Sequence, residues 1–190
     1  MRLAAAALTL LLNTAAWATE IEGIKLADSV RSAAGSNLVL NGAGVRVRLV
    51  FNVYVAALYL PAKSSDAEAI LRGDQPLRFT MQMLRDLSAE QINSSTTDAL
   101  RETLTAEERR PLDARMARFN SIFSSMREVK EGTRVTLDYA PAVGTIVSIN
   151  DEEKDRIPGA DFRNALMRVW LGARARDPDL RRALLGMDAK

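Results

Sequence analysis

The chain contains no cysteine and no histidine in its 190 residues. Without cysteine there are no disulfides, no thiolate metal sites and no thiol nucleophile. Without histidine the commonest general base, the Ser-His triad and the usual zinc ligands are gone. Any acid–base chemistry falls to Lys, Tyr, Asp, Glu, Ser or Thr. A dominant charge is also missing: 26 Lys and Arg stand against 24 Asp and Glu, a net +2, which makes no electrostatic case for nucleic acid. Long apolar runs are scarce. Leu3 to Leu12, interrupted by Thr9, is shorter than the about 20 residues a membrane span needs, and no later stretch is long and apolar enough.

What that N-terminal run does have is the layout of a secretory signal. Arg2 precedes it, and Ala16-Trp17-Ala18 follows as a small-residue cleavage pattern. Residues 1–18 are therefore expected to be a cleaved signal peptide, with residues 19–190 as one domain large enough for its own core. After cleavage no transmembrane segment is expected.

Along that domain, Ile21 to Gly35 reads as a short strand and loop, and Asn37 to Leu40 as a strand. Gly42-Ala43-Gly44 is a turn or bulge, and Val45 to Leu60 is one long β segment. Odd positions from Val45 to Val55 are apolar and should face a core. Arg46, Arg48, Val50, Asn52 and Tyr54 lie on the other face, mixed and largely polar, which should meet water, a cleft or a ligand. Asp66 to Arg72 reads as a short helix and Leu77 to Leu84 as a strand. Ser88-Ala89-Glu90-Gln91 and Thr105-Ala106-Glu107-Glu108 are capping boxes that open two helices. The second carries Leu112, Met116, Phe119, Phe123 and Met126 as one apolar stripe, with Pro111 near its start. Thr133 to Tyr139 and Gly144 to Ile149 read as paired strands, Asn150 to Arg156 as a charged loop. A helix follows with Phe162, Leu166, Val169 and Trp170 on one face, and Asp177-Pro178 starts a last short helix. The order predicts an α+β fold, a mostly antiparallel sheet covered by helices.

Several apparent motifs dissolve on inspection. Asn41-Gly42-Ala43-Gly44 has Val47 where a dinucleotide loop needs its third glycine, and a strand follows where a helix is required. Asp151, Glu152, Glu153 and Asp155 are interleaved with Lys154 and Arg156 and lack calcium-loop spacing. The arginines Arg101, Arg109, Arg110, Arg115 and Arg118 have acids among them and read as a mixed solvated face. The run Ser94 to Thr97 reads equally as the lining of a wet pocket or as an exposed face. Arg46 and Tyr54 share a strand face, where the guanidinium suits a carboxylate and the phenol could add a hydrogen bond. The bland reading is a surface Arg and a Tyr at the sheet margin. Eight residues of straight strand cover about 26 Å, so the two meet at one small group only where the strand bends or bulges.

Leu40-Asn41-Gly42-Ala43-Gly44-Val45-Arg46 and Val53-Tyr54-Val55-Ala56-Ala57-Leu58-Tyr59-Leu60-Pro61, with Ile157-Pro158-Gly159, the segment Phe162 to Gly172, and Leu184-Leu185-Gly186, resemble the chalcone isomerase-like family, in particular its exported bacterial branch. The resemblance covers nearly the whole domain. It implies a curved antiparallel sheet under a layer of helices, an open-faced β-sandwich with a ligand cleft between the layers, and a periplasmic location. The plant isomerase of the family works without a cofactor. Its active site has an Arg after the glycine turn, a Thr on the next strand, and a Tyr and an Asn on the first long helix. Arg46 matches the Arg, Tyr54 replaces the Thr, and Ile92 and Ala99 fall where the helical Tyr and Asn stand. Related plant fatty-acid-binding proteins keep the Arg and have a Tyr in a Val-Tyr context like Val53-Tyr54, where the pair meets a carboxylate.

The leading expectation is a non-catalytic, cofactor-free, metal-free protein that binds a small hydrophobic or amphipathic ligand such as a fatty acid. Arg46 and Tyr54 would hold its head, and apolar helix residues including Ile92 and Leu100 its tail. Two alternatives stand beside it: a cofactor-independent intramolecular lyase on another substrate, and a structural or interaction protein of the envelope with a filled core. The sequence names no protein partner.

Overall fold

The computed structural model describes residues 19–187; the expected signal peptide lies outside them. Three short strands come first: β1 (Thr19–Ile21), β2 (Ile24–Leu26) and β3 (Ser29–Arg31). Two long ones follow, β4 (Asn37–Arg48) and β5 (Phe51–Leu60), then helix α1 (Ala67–Arg72) and strand β6 (Leu77–Met83). After the two-residue strand β7 (Leu87–Ser88) come α2 (Ala89–Thr103), α3 (Ala106–Arg109), a 3-10 turn at Arg110–Leu112 and α4 (Asp113–Ser124). Strands β8 (Glu128–Val129), β9 (Arg134–Ala140), β10 (Gly144–Ile149) and β11 (Glu152–Ile157) precede α5 (Ala160–Leu171) and α6 (Pro178–Leu184).

Seven strands form one antiparallel sheet in the order β11-β10-β9-β6-β5-β4-β3. The sheet curls, and its inner face carries the main core, shared with the helices: Leu58, Phe79 and Leu137 from strands meet Phe123, Phe162 and Leu166 from α4 and α5. Strand β6 shows why. Leu77, Phe79, Met81 and Met83 alternate inward at the two-residue period of a strand and are all buried. The outer face holds a smaller cluster, where Leu26 of β2 covers Leu38, Val55, Ala57 and Tyr59. So β5 buries residues of both parities, and its inner face is no open surface except near Tyr54.

Local signals place most helix starts. Ser88 and Thr105 both close their capping boxes, and Asp66 and Asp177 cap α1 and α6. Pro111 breaks the second helix into α3, the 3-10 turn and α4, because proline leaves its helical hydrogen bond unmade. The apolar stripe survives the break: Leu112, Phe119 and Phe123 are buried, and Met116 and Met126 pack against them.

Two expectations are corrected. Val45 to Leu60 is not one segment; the chain turns back at Leu49-Val50, so that Arg48 pairs with Phe51 and Arg46 with Tyr54. Apolar turn residues hide this hairpin in an otherwise continuous strand pattern. Likewise Asn150 to Arg156 is not a loop. Asn150 and Asp151, with φ of 52° and 67°, make a two-residue turn, and Glu152–Ile157 runs back along β10 as the sheet edge. Charged side chains suit an exposed edge, where they discourage further strand pairing.

The glycine pair has a packing role. The chain bulges between Leu40 and Gly42 and then continues as strand. A Cβ on Gly42 would lie 2.0 Å from the Ala183 carbonyl, and one on Gly44 would lie 2.8 Å from the Ala183 Cβ. The bare backbone lets α6 settle directly on β4. Asn41, at the bulge, ties the contact by donating to the carbonyls of Ser64 and Leu184 at 3.0 and 2.8 Å. Deeper in, fully buried Arg163 of α5 donates to the Ile70 carbonyl at 2.8 Å and to that of Gly73, filling the open C-terminal end of α1. Among the described residues no helix is long and apolar enough to cross a membrane.

Candidate ligand cavity

A cavity of about 340 Å³ opens between the inner face of the sheet and α2, within the size range of small-molecule sites. Its sheet wall includes Arg46, Tyr54, Met81 and Met83; α2 contributes Ile92, Thr96 and Ala99; Phe119, Phe123 and Trp170 close the floor. Two residues brought near by one hairpin pairing thus share one wall. The 26 Å separation of a straight strand does not arise, because the strand folds back on itself between them.

Arg46 is anchored but not saturated. Its Nη1 donates to Asp177 Oδ2 at 3.0 Å and to the Val47 carbonyl at 3.2 Å. Asp177 reaches this spot because α6 rests on the glycines of β4. Its Oδ1 caps the helix by accepting from the Leu180 amide at 3.0 Å, and its Oδ2 also accepts from the Val47 amide at 3.3 Å. Among the described residues the Nε and Nη2 groups of Arg46 have no protein acceptor. They are one edge of the planar fork that matches a carboxylate.

Tyr54 presents the complementary group. The indole Nε1 of Trp170 donates to its hydroxyl at 2.8 Å, which leaves the phenolic proton free to be given. Burial pushes the Tyr54 phenol up to about 12, with the indole hydrogen bond and the nearby Arg46 charge acting against it. The group is therefore a neutral donor at ordinary pH. The rest of the wall is more hydrocarbon than polar, with Gln91, Ser95 and Arg176 among its polar members; Thr96 also lines it, but its hydroxyl is spent on the Ile92 carbonyl at 2.9 Å. An anionic or polar head at Arg46 and Tyr54 with an apolar body behind it suits such a space.

Other residues fall differently. Leu100 does not touch this cavity; it lines a separate hollow among α2, α3 and α4 with Leu104 and Met116. Helical rotation decides this: the cavity face of α2 runs through Ile92 and Ala99, seven residues apart, and Leu100, one residue further on, is turned about 100° from Ala99. The polar run divides the same way: Ser95 and Thr96 face the cavity, while Ser94 and Thr97 lie outside. The acids of the expected solvated loop each hold a cation, with Asp155 bound by Arg118 and Glu153 by Arg156. Arg115 pairs with Asp161 of α5 rather than with acids on its own helix.

Sequence reasoning missed Asp177 and Trp170 as neighbours of the candidate pair. Asp177-Pro178 signals a helix start and Trp170 an apolar helix face, and neither pattern says what the residue meets in space. The hairpin that pairs Arg46 with Tyr54 had a weak signal at best, because its turn contains no glycine, asparagine or aspartate.

The family model described as chalcone isomerase-like matches residues 18–186. No curated protein matches the chain. Among solved structures the chain resembles a fatty-acid binding protein of Arabidopsis thaliana. The two share 14% identity over 86% of this chain and 92% of that one, with a TM-score of 0.68. At that identity the likeness is one of fold.

Proposed function

We propose, from the premise that this chain belongs to the chalcone isomerase-like family, that it binds a small amphipathic ligand with a carboxylate head, of the fatty-acid class, without transforming it. One observation carries the reading. The Nε–Nη2 edge of Arg46 is left open beside the donor of Tyr54 at the wall of a cavity whose lining is mostly apolar. The fatty-acid binding of the structural neighbour supports the same choice of ligand. Arg46 would take the carboxylate and Tyr54 would donate a further hydrogen bond. Ile92, Ala99, Met81 and Phe119 would surround the chain. The catalytic alternative has less to stand on, because Ile92 and Ala99 bring only hydrocarbon where the plant isomerase has a Tyr and an Asn. The filled-core alternative needed no cavity at Arg46, and there is one.

The test is displacement of a fluorescent fatty acid from the purified protein by palmitate, with native mass spectrometry for co-purifying lipid. Loss of a charge-assisted pair is worth about 1.5–3 kcal/mol, so Arg46→Ala should weaken binding by at least about tenfold. Undetectable binding, or equal affinity in the variant, would sink the reading. The proposal includes export to the periplasm through a cleaved signal at residues 1–18, supported by Arg2, the apolar run and Ala16-Trp17-Ala18. Fractionation of the expressing cell and N-terminal sequencing check it; a cytoplasmic protein that keeps Met1 would refute it.

A further inference from the structure

Among the described residues three hairpins close on two-residue turns: Glu22-Gly23, Leu49-Val50 and Asn150-Asp151. Two of them are polar, and Gly23, Asn150 and Asp151 are residues that suit a left-handed turn, although Glu22 at φ 51° is strained as well. The third is apolar throughout. Leu49 sits at φ 57°, a conformation that costs a side-chain-bearing residue free energy, and it is followed by a β-branched residue. Leu49 is 88% exposed and Val50 84%, with Val47 at 41% and Phe51 at 52% beside them. Four of the five most exposed large apolar residues among those described thus sit on one hairpin tip. Breaks with local turn chemistry of this kind cluster at functional sites.

The tip is flanked by cations. Arg48 on β4 and Arg85 after β6 are exposed. Neither takes part in an ion pair among the described residues, and the Arg85 guanidinium lies 4.6 Å over the Phe51 ring. The nearby acids are spent, Asp86 on Lys130 and Asp177 on Arg46. No acidic residue occurs from Gly44 to Leu60. The tip is also continuous with the cavity: Arg48, Leu49, Phe51 and Arg85 line its wall and, with Asp86, Gln91, Ser95 and Arg176, are the exposed residues of that wall, so the tip forms one side of the mouth.

We infer that the β4–β5 hairpin tip docks the protein on an anionic lipid surface, setting the cavity mouth against the bilayer. Leu49, Val50 and Phe51 enter the interfacial region while Arg48 and Arg85 meet the headgroups. A convex tip of four side chains falls well short of the about 20 residues a side in a stable protein interface. An apolar tip ringed by cations matches the way proteins sit in a lipid interface. Passage of a lipid from bilayer to cavity rests on the ligand reading above; the docking itself does not.

The experiment is co-sedimentation of the purified protein with vesicles of phosphatidylcholine alone and with one quarter phosphatidylglycerol. The variant is Val50→Asp, which lies outside the cavity wall and places a favourable turn residue at the tip. The wild-type protein should sediment with the anionic vesicles, less so as salt rises, and Val50→Asp should lower that partition about tenfold. Arg48→Gln with Arg85→Gln should abolish the preference for anionic vesicles. Wild-type protein left in the supernatant, or equal sedimentation of Val50→Asp, would overturn the inference. So would a wild-type dimer on gel filtration that Val50→Asp converts to monomer, since the tip would then cover itself. Fatty-acid displacement measured without vesicles separates the two proposals: its failure refutes the ligand reading alone, and sedimentation still supports docking.

Discussion

The two faces of the sheet each carry an Arg–Asp pair, and the pairs differ in a way that separates structure from function. On the outer face Arg78 and Asp138 are cross-strand partners of β6 and β9. The Nε and Nη2 of Arg78 donate to the two carboxylate oxygens at 2.8 and 2.7 Å, and the Ala33 amide adds a third bond at 3.1 Å. On the inner face Arg46 offers Asp177 a single nitrogen, Nη1. Both arginine side chains are 20% exposed, but Asp138 is 1% exposed and Asp177 16%. Charge and exposure of the cation are equal. What differs is which edge of the fork is spent. Arg78 has closed its carboxylate-binding edge on a buried acid of its own sheet, whereas Arg46 is held from the other side by a helix cap and keeps that edge open.

The sharpest way to test the contrast is to remove each acid. Asp138 is buried but Arg78 is partly exposed, so removing the acid strands a cation that water can reach; Asp138→Ala should lose about 1.5–3 kcal/mol of stability in denaturant melts and leave fatty-acid affinity unchanged. Unaltered stability would mean that Arg78 finds another acceptor. A smaller effect is expected at high pH. Burial pushes Tyr139 up to about 12, as it does Tyr54. Both folded values lie above the unfolded value of about 10, so the native state holds its phenolic protons longer. The stability they contribute is complete below pH 10 and is lost between about 10 and 12. Alkaline melts should show that fall, and Tyr54→Phe should reduce it. The smallest effect belongs to Asp177→Asn. Asparagine still caps α6, but it removes a negative charge beside the site proposed for the ligand carboxylate. Affinity for a fatty acid should rise several-fold, while affinity for a neutral alcohol of equal length stays flat. Weaker fatty-acid binding in this variant would mean that Asp177 holds Arg46 in place more than it competes with the ligand.

Whatever is written within one turn of helix or one strand period was legible in the sequence. Ser88, Thr105, Asp66 and Asp177 announce helix starts because a cap and its amides are three residues apart. The alternation of Leu77 to Met83 and the stripe from Leu112 to Phe123 declare their buried faces for the same reason. Arg46 and Tyr54 could be singled out by chemistry and by the family's pattern, and so could the family itself. Their meeting depended on a turn at Leu49-Val50 that carries no turn chemistry. The role of Asp177 depended on α6 finding the bare backbone at Gly42 and Gly44, more than 130 residues away in the chain. Local patterns report free energies gained between near neighbours. Which edge of Arg46 stays open, which face of α2 lines the cavity and which apolar tip is left in water are set by contacts between distant segments, and only the folded chain brings those together.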